Sequence, residues 1–316
     1  MPKYPRYAEL LQRMDAPAGS AWGIFGATDQ LGTLNFIGAD QVIAAAAGVR
    51  KGRVFPLNLP LELPDPGFFD RSPPEQTIVP SHNGDILDDY LDRLYPQGSS
   101  HWDALRHSAH PEHGFYNGVS HRLGSDPDST ELGVHHWARR GIVARGVLID
   151  IPRSVNDSAR SIDPLDYFEI TADVLATALD AQRVTLRQGD VLLLRTGWLA
   201  AYLLLDSDQR AAIAAGEPAH PGLYGAEIVE FLWNHRIAGV AADNPALEAA
   251  RPVKGIDLAL HHQLIALLGM PLGELWDLEE LAADCAEDNR YTFLLVSSPL
   301  NICGGAGSPA NALAVK

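Results

Sequence analysis

Gln97–His113 reads QGSSHWDALRHSAHPEH, a span that sets four imidazoles beside Asp103 and is short enough to fold around one point. His101 and Asp103 are two residues apart, so an extended backbone aims both side chains at the same face. His107 follows Asp103 by four. A helix opening at Asp103, a good N-cap residue, would project His107 one turn along on the carboxylate's side. Imidazole nitrogen with carboxylate oxygen suits zinc, manganese or ferrous iron, whereas sets made only of oxygen suit magnesium or calcium. An HxD pair alone reads as a solvated loop, since both residue types are ordinary on surfaces. The density of histidine favours a site: eight of the twelve fall between His82 and His136.

With 316 residues the chain has room for one large domain or two ordinary ones, and 46% hydrophobic residues supply a sizeable core. Neither a disordered linker nor an internal repeat divides it, so one domain over residues 1–316 is expected. It would carry an N-terminal arm at 1–20 and surface loops at 63–76 and 124–130, both rich in Pro, Gly and Asp. A formal charge of −16 and a pI near 5.0 argue against nucleic acid or an anionic membrane as partner. The expected substrate is small. No apolar run approaches the roughly 18 residues of a membrane span, and MPKYPRYAELLQRM lacks a signal peptide's apolar centre. A cytoplasmic protein is expected. Cys285 and Cys303 lie outside any CxxC spacing, so both read as buried packing residues rather than as a disulfide or a thiolate metal site.

Short apolar runs bounded by turn residues predict strands at 146–151, 190–198, 238–243 and 292–298, each buried on both faces. A 3.6-residue period predicts helices at 39–48, 130–140, 171–182, 222–234 and 257–268, the last opening at Asp257 and stopping at Gly269. Alternating helices and buried strands indicate an α/β fold. GGAGSP at 304–309 lacks the lysine of a phosphate loop and the spacing of a dinucleotide turn, and reads as a tight turn near the C-terminal edge of the core.

A second cluster lies in DLALHHQLIALLGM, with adjacent His261 and His262, and Glu274 twelve residues beyond His262. Leu264, Ile265 and Leu268 share a face with His261, which makes that ring the packed one and leaves His262 free to point elsewhere. Periodicity alone leaves the choice between the two histidines close to even.

Together HWDALRH, HHQLIALLG and Glu274 resemble the metal-dependent cyclase family that includes bacterial kynurenine formamidases and isatin hydrolases. On that family's signature, HxGTHxDxPxH, the second histidine falls on His101, the aspartate on Asp103 and the last histidine on His107. The family's later histidine and glutamate match His262 and Glu274. Blocks such as WGIFGATDQLGTLNFI, QGDVLLLRTGW, GVAADNPALE and SPLNICGGAGSPANALAV extend the likeness from about Trp22 to the C-terminus. Gln97 stands where the signature has its first metal-binding histidine, Ser99 replaces its glycine and Leu105 its proline. The resemblance implies the swivelling β/β/α fold, a homodimer or homotetramer, and one or two ions of zinc or manganese.

On this reading His101, Asp103 and Glu274 are ligands, His262 is a fourth or serves a second ion, and Gln97 is an optional oxygen ligand. His107, with an ordinary pKa of about 6.5, is left for proton transfer. The expected activity is hydrolysis of a C–N bond in a formamide or cyclic amide, with zinc lowering the pKa of its bound water to about 7. His110 and His113 are candidates for orienting ligands or touching substrate. Trp102, Phe115 and Tyr116 would form a flat wall for an aromatic or cyclic substrate, with Trp22 and Phe25 lining the same cavity or a subunit contact. Two other readings remain: a cyclase, dehydratase or lactone hydrolase using the same groups, and a binding protein that has lost its metal.

Overall fold

Apolar runs in the second half of the chain form the middle of one sheet because they carry too little polar surface to face water on either side. The computed structural model describes residues 4–155, 161–216, 219–251 and 259–316. Its main sheet has nine strands: Val54–Pro56 (β1), His101–Asp103 (β2), Ile142–Asp150 (β3), Val191–Arg195 (β4), Gly239–Ala242 (β5), Leu272–Glu274 (β6), Thr292–Ser297 (β7), Gly307–Pro309 (β8) and Ala312–Val315 (β9). In space they run β1-β9-β7-β3-β4-β5-β6-β2-β8. The four central strands β3 to β6 are parallel, and every other neighbouring pair is antiparallel. The architecture is mixed α/β. Helices Ala172–Ala181 and Glu227–Asn234 occur in the connections between the parallel strands, each with an apolar stripe buried, Leu175, Ala178 and Leu179 on the first and Ile228, Val229, Leu232 and Trp233 on the second.

Several expectations need correction. β7 is not buried on both faces: Phe293, Leu295 and Ser297 are buried while Thr292, Leu294 and Val296 are half-buried, as suits a strand with antiparallel neighbours toward one side of the sheet. The helix expected at 222–234 starts only at Glu227, because Pro221–Leu223 pairs in parallel with Phe168–Ile170. The one expected at 130–140 starts at His135. Asp257 lies outside the described residues. Residues 75 and 76 of the expected 63–76 loop open an exposed hairpin, Glu75–Pro80 against Leu87–Asp92. Part of the GGAGSP turn is edge strand β8, where Gly307 is required: a Cβ there would come 2.5 Å from Gln97 Nε2 and 2.7 Å from the Trp102 carbonyl. Cys285 is buried, whereas Cys303 is exposed.

A large core lines the sheet. A smaller apolar cluster of Leu59, Phe68, Trp198, Leu199, Tyr202 and Leu275 forms separately.

Candidate metal centre

β2 and β6 are antiparallel neighbours with His101 opposite Glu274. Strand alternation sends His101 and Asp103 to one face, where Nε2 of His101 stands 3.3 Å from Glu274 Oε2 and 3.5 Å from Asp103 Oδ1. One ligand atom from each residue lies within 4.8 Å of the others. His101 and Asp103 are each 1% exposed. His101 Nδ1 is held 2.7 Å from the Ser99 carbonyl. Nδ1 therefore donates to that carbonyl, and Nε2 faces the carboxylates. Among the described residues, His101 Nε2 and both Asp103 oxygens find no hydrogen-bond partner.

Carboxylates gathered in a dry site repel one another unless positive charge, a proton or a metal ion, lies among them. Burial works against charge on His101, but Asp103 and Glu274 outweigh it and hold its pKa up to about 10. Burial likewise raises Glu274, and the adjacent imidazoles of His101 and His261 overcome it, leaving the carboxyl well below its usual range. Atoms bound about 2.0–2.1 Å from a tetrahedral ion are roughly 3.3–3.4 Å apart, close to the 3.3 and 3.5 Å that separate His101 Nε2 from the two carboxylates.

Of the two adjacent histidines, His261 is the one that stands beside these carboxylates. Its Nε2 is 3.2 Å from Glu274 Oε1 and 3.9 Å from Asp103 Oδ2. The resemblance pointed to His262; periodicity put His261 on one face with Leu264, Ile265 and Leu268, all of which are buried, and His262–Leu267 is a π-helix in which Leu268 N–H donates to the Gln263 carbonyl five residues back. The wider turn changes which residues share a face. His262 is half-buried, its ring 6.3 Å from that of His110.

Glu248 was not singled out by sequence reasoning. Its Oε1 stands 2.6 Å from His261 Nδ1, and the carboxylate also accepts the backbone N–H groups of Leu260 and His261. It therefore fixes the ring's orientation and turns Nε2 toward Glu274. The residue lies in GVAADNPALE, 26 positions before Glu274, and no regular spacing marks it.

His107 follows from a turn closed by its own N–H on the Ala104 carbonyl, rather than from a helix capped by Asp103. Nδ1 still comes to 3.4 Å from Asp103 Oδ1, and the side chain is 24% exposed. Burial lowers its pKa against the pull of Asp103, so the ring is neutral near pH 7. His110 and His113 stack at 4.5 Å. Gln97 lies with its amide against Gly307, the residue paired with Asp103.

The expected aromatic wall is dispersed. Alternation turns Trp102 away from the carboxylates, and its indole donates to Ser297 while the ring packs edge-on against Trp276 at 4.7 Å. Tyr116 donates to Asp29 and fills the space that a side chain at Gly269 would need. Phe115 packs on Gly124, and Phe25 joins Tyr4, Phe36 and Trp233 in an aromatic cluster. Trp22 donates to the Ala266 carbonyl and so fastens the N-terminal region to the π-helix that follows His261.

The model of the putative cyclase family matches residues 59–249. A crystal structure described as a novel cyclase is 35% identical, with 94% of this chain and 99% of that one covered and a TM-score of 0.84. Isatin hydrolase A from Labrenzia aggregata, bound to benzyl benzoate, is 20% identical over 87% and 97% of the two chains, with a TM-score of 0.57. An isatin hydrolase bound to the product analogue thioisatinate is 19% identical over 89% and 99%, with a TM-score of 0.56. No curated protein matches the chain. With most of its length aligned to one cyclase and the family model spanning more than half of it, this chain belongs to the cyclase family.

Proposed function

We propose that the chain is a metal-dependent hydrolase that opens the C–N bond of a formamide or cyclic amide. The observation that carries this reading is the buried convergence of His101, Asp103 and Glu274, one ligand atom of each lying within 4.8 Å of the others. These three residues would hold a divalent cation, with His261 completing the set or sharing Asp103 and Glu274 toward a second ion. Zinc or manganese there would polarise an amide carbonyl and bring water into its nucleophilic range near neutral pH.

The protein's own groups do the rest. Glu248 holds the His261 ring, and the Ser99 carbonyl holds that of His101. His107 is neutral, partly exposed and anchored beside Asp103. It accepts the proton lost when water adds to the carbonyl carbon, and returns it to the nitrogen as the C–N bond breaks. A small neutral substrate also suits the strongly acidic chain, and no helix among the described residues is long and apolar enough to cross a membrane. The hairpin that exposes Ile78, Val79, Leu87 and Tyr90 supports assembly of two or more copies of the chain.

The test is hydrolysis of isatin and of N-phenylformamide by protein supplied with zinc or manganese. Turnover should disappear with a chelator and return with the metal. His107→Ala should lower the rate about a hundredfold near neutral pH. Hydrolysis that persists after the metal is stripped would refute the reading.

A further inference from the structure

One part of the chain is folded and yet uncovered. Glu75–Pro80 and Leu87–Asp92 form a two-stranded sheet apart from the main one, and every residue of both strands is exposed. Strand alternation and the register Ile78↔Asp89 and Pro80↔Leu87 put Ile78, Pro80, Leu87 and Leu91 on one face, where the one acid, Asp89, accepts from Gln76. The other face carries Glu75, Asp88 and Asp92. On the apolar face Ile78 is 52% exposed and Leu87 65%. A hairpin of two strands is marginal in water unless such a face packs against something.

Charge shows what the hairpin fits. Residues 75–92 hold five acids, one histidine and no Lys or Arg. The stretch Arg106–Arg122, at the mouth of the metal centre, reverses that balance with two arginines and four histidines against one acid, Glu112. His113, His121 and Arg122 are exposed there, and His107 is 24% exposed beside Asp103. Hairpin on hairpin would set acid against acid, whereas hairpin on mouth sets acid against imidazole and guanidinium. The hairpin is also rooted at that mouth. Arg71 donates to the Gln97 carbonyl, and Gln97 lies against Gly307, the strand partner of Asp103. A two-fold axis near the root lets each copy give one hairpin and receive one, which doubles the contact.

We propose that the apolar face of the hairpin closes over the metal centre of a second copy of the chain, so that two chains share each site. The proposal takes what the site does from the hydrolase reading and adds the surface that completes it. Trp102, Phe115 and Tyr116 are buried in the core, so an organic substrate at the mouth needs apolar surface from elsewhere. Ile78, Leu87 and Leu91 of the second copy supply it. Covering the mouth also removes water from around His107 and the carboxylates, which strengthens their electrostatic action on a bound amide.

Sedimentation velocity and labelling with diethyl pyrocarbonate test the shared mouth in wild type, in Ile78→Asp combined with Leu87→Asp, and in Arg122→Glu. All three positions are exposed, so each variant should keep the circular dichroism spectrum of wild type. Wild type should sediment as a pair of 34.2 kDa chains and the hairpin variant as a single chain. Arg122→Glu, on the receiving side, should raise the dissociation constant of the pair about tenfold. Labelling of the imidazoles in peptide 107–122, read by mass spectrometry, should run about tenfold faster in the hairpin variant, whose mouth is open. A wild type that stays single, a hairpin variant that still pairs, pairing indifferent to Arg122→Glu, or equal labelling of paired and single chains would overturn the proposal. The hydrolase reading fails separately: a pair that shields its imidazoles but hydrolyses neither isatin nor N-phenylformamide keeps the shared mouth and refutes only the hydrolysis.

Discussion

Two of the charge clusters among the described residues are built on different principles. Near the end of the chain Asp284 and Asp288 meet Lys316 Nζ at 2.7 and 2.8 Å, Lys51 Nζ at 3.2 and 2.8 Å, and Asp284 also meets Arg53. Each acid there faces cations supplied by the chain, so the cost of burying it is offset internally. At β2 and β6 the acids face imidazoles and one another, and His101 Nε2 with both Asp103 oxygens finds no hydrogen-bond partner among the described residues. The first cluster is completed by protein alone. The second has imidazoles and no Lys or Arg among its described partners, and imidazoles can pass from proton to metal ion, which distinguishes a place for a ligand from a structural clasp.

Substitutions should separate the two. Asp103→Asn removes a charge shared across the centre, and it should lower kcat/KM on an amide substrate about a thousandfold. Added zinc or manganese should raise the melting temperature of wild type and leave that of the variant unmoved. Glu248→Gln keeps the shape of the residue that orients His261, so metal affinity should fall about 10- to 100-fold while the fold persists, as read by competition with a chromogenic chelator. Lys316→Met should act in the opposite sense. It takes the wholly buried cation from Asp284 and should destabilise the chain by about 3 kcal/mol in denaturant unfolding, with kcat unchanged. A loss of activity equal to that of Asp103→Asn would abolish the contrast.

The smallest effect concerns acid. Burial lowers the pKa of His220 from 6.5 to about 4 in the folded chain. Between those values the unfolded chain binds a proton that the folded one refuses, so this residue's contribution to stability is present above pH 6.5 and is lost as the pH falls toward 4. By pH 5.5 the loss should reach about 1 kcal/mol. The difference between wild type and His220→Leu, followed from pH 7 to pH 5, should show it. A difference independent of pH would place His220 in a solvated setting.

The same contrast marks what the sequence could reveal. Apolar runs marked β3, β4, β5 and β7, because burial of a strand is written in its own residues. The period of two in HWD brought His101 and Asp103 to one face. Applied to the residue between them, that rule also sends Trp102 away, a consequence the wall of aromatic side chains overlooked. A 3.6-residue period put His261 on the buried face with Leu264, Ile265 and Leu268, but it could not show that a buried imidazole there meets Glu274. Glu248 left no local trace at all. It reaches His261 through the tertiary fold.

Metal analysis of gently purified protein, set beside His101→Ala, tests the central proposition most directly. Wild type should carry zinc or manganese in stoichiometric amount, and the variant should lose it while keeping its folded circular dichroism spectrum. Equal metal content in the two proteins, or a metal-free wild type that hydrolyses an amide at full rate, would contradict the assignment of His101, Asp103 and Glu274 to a cation.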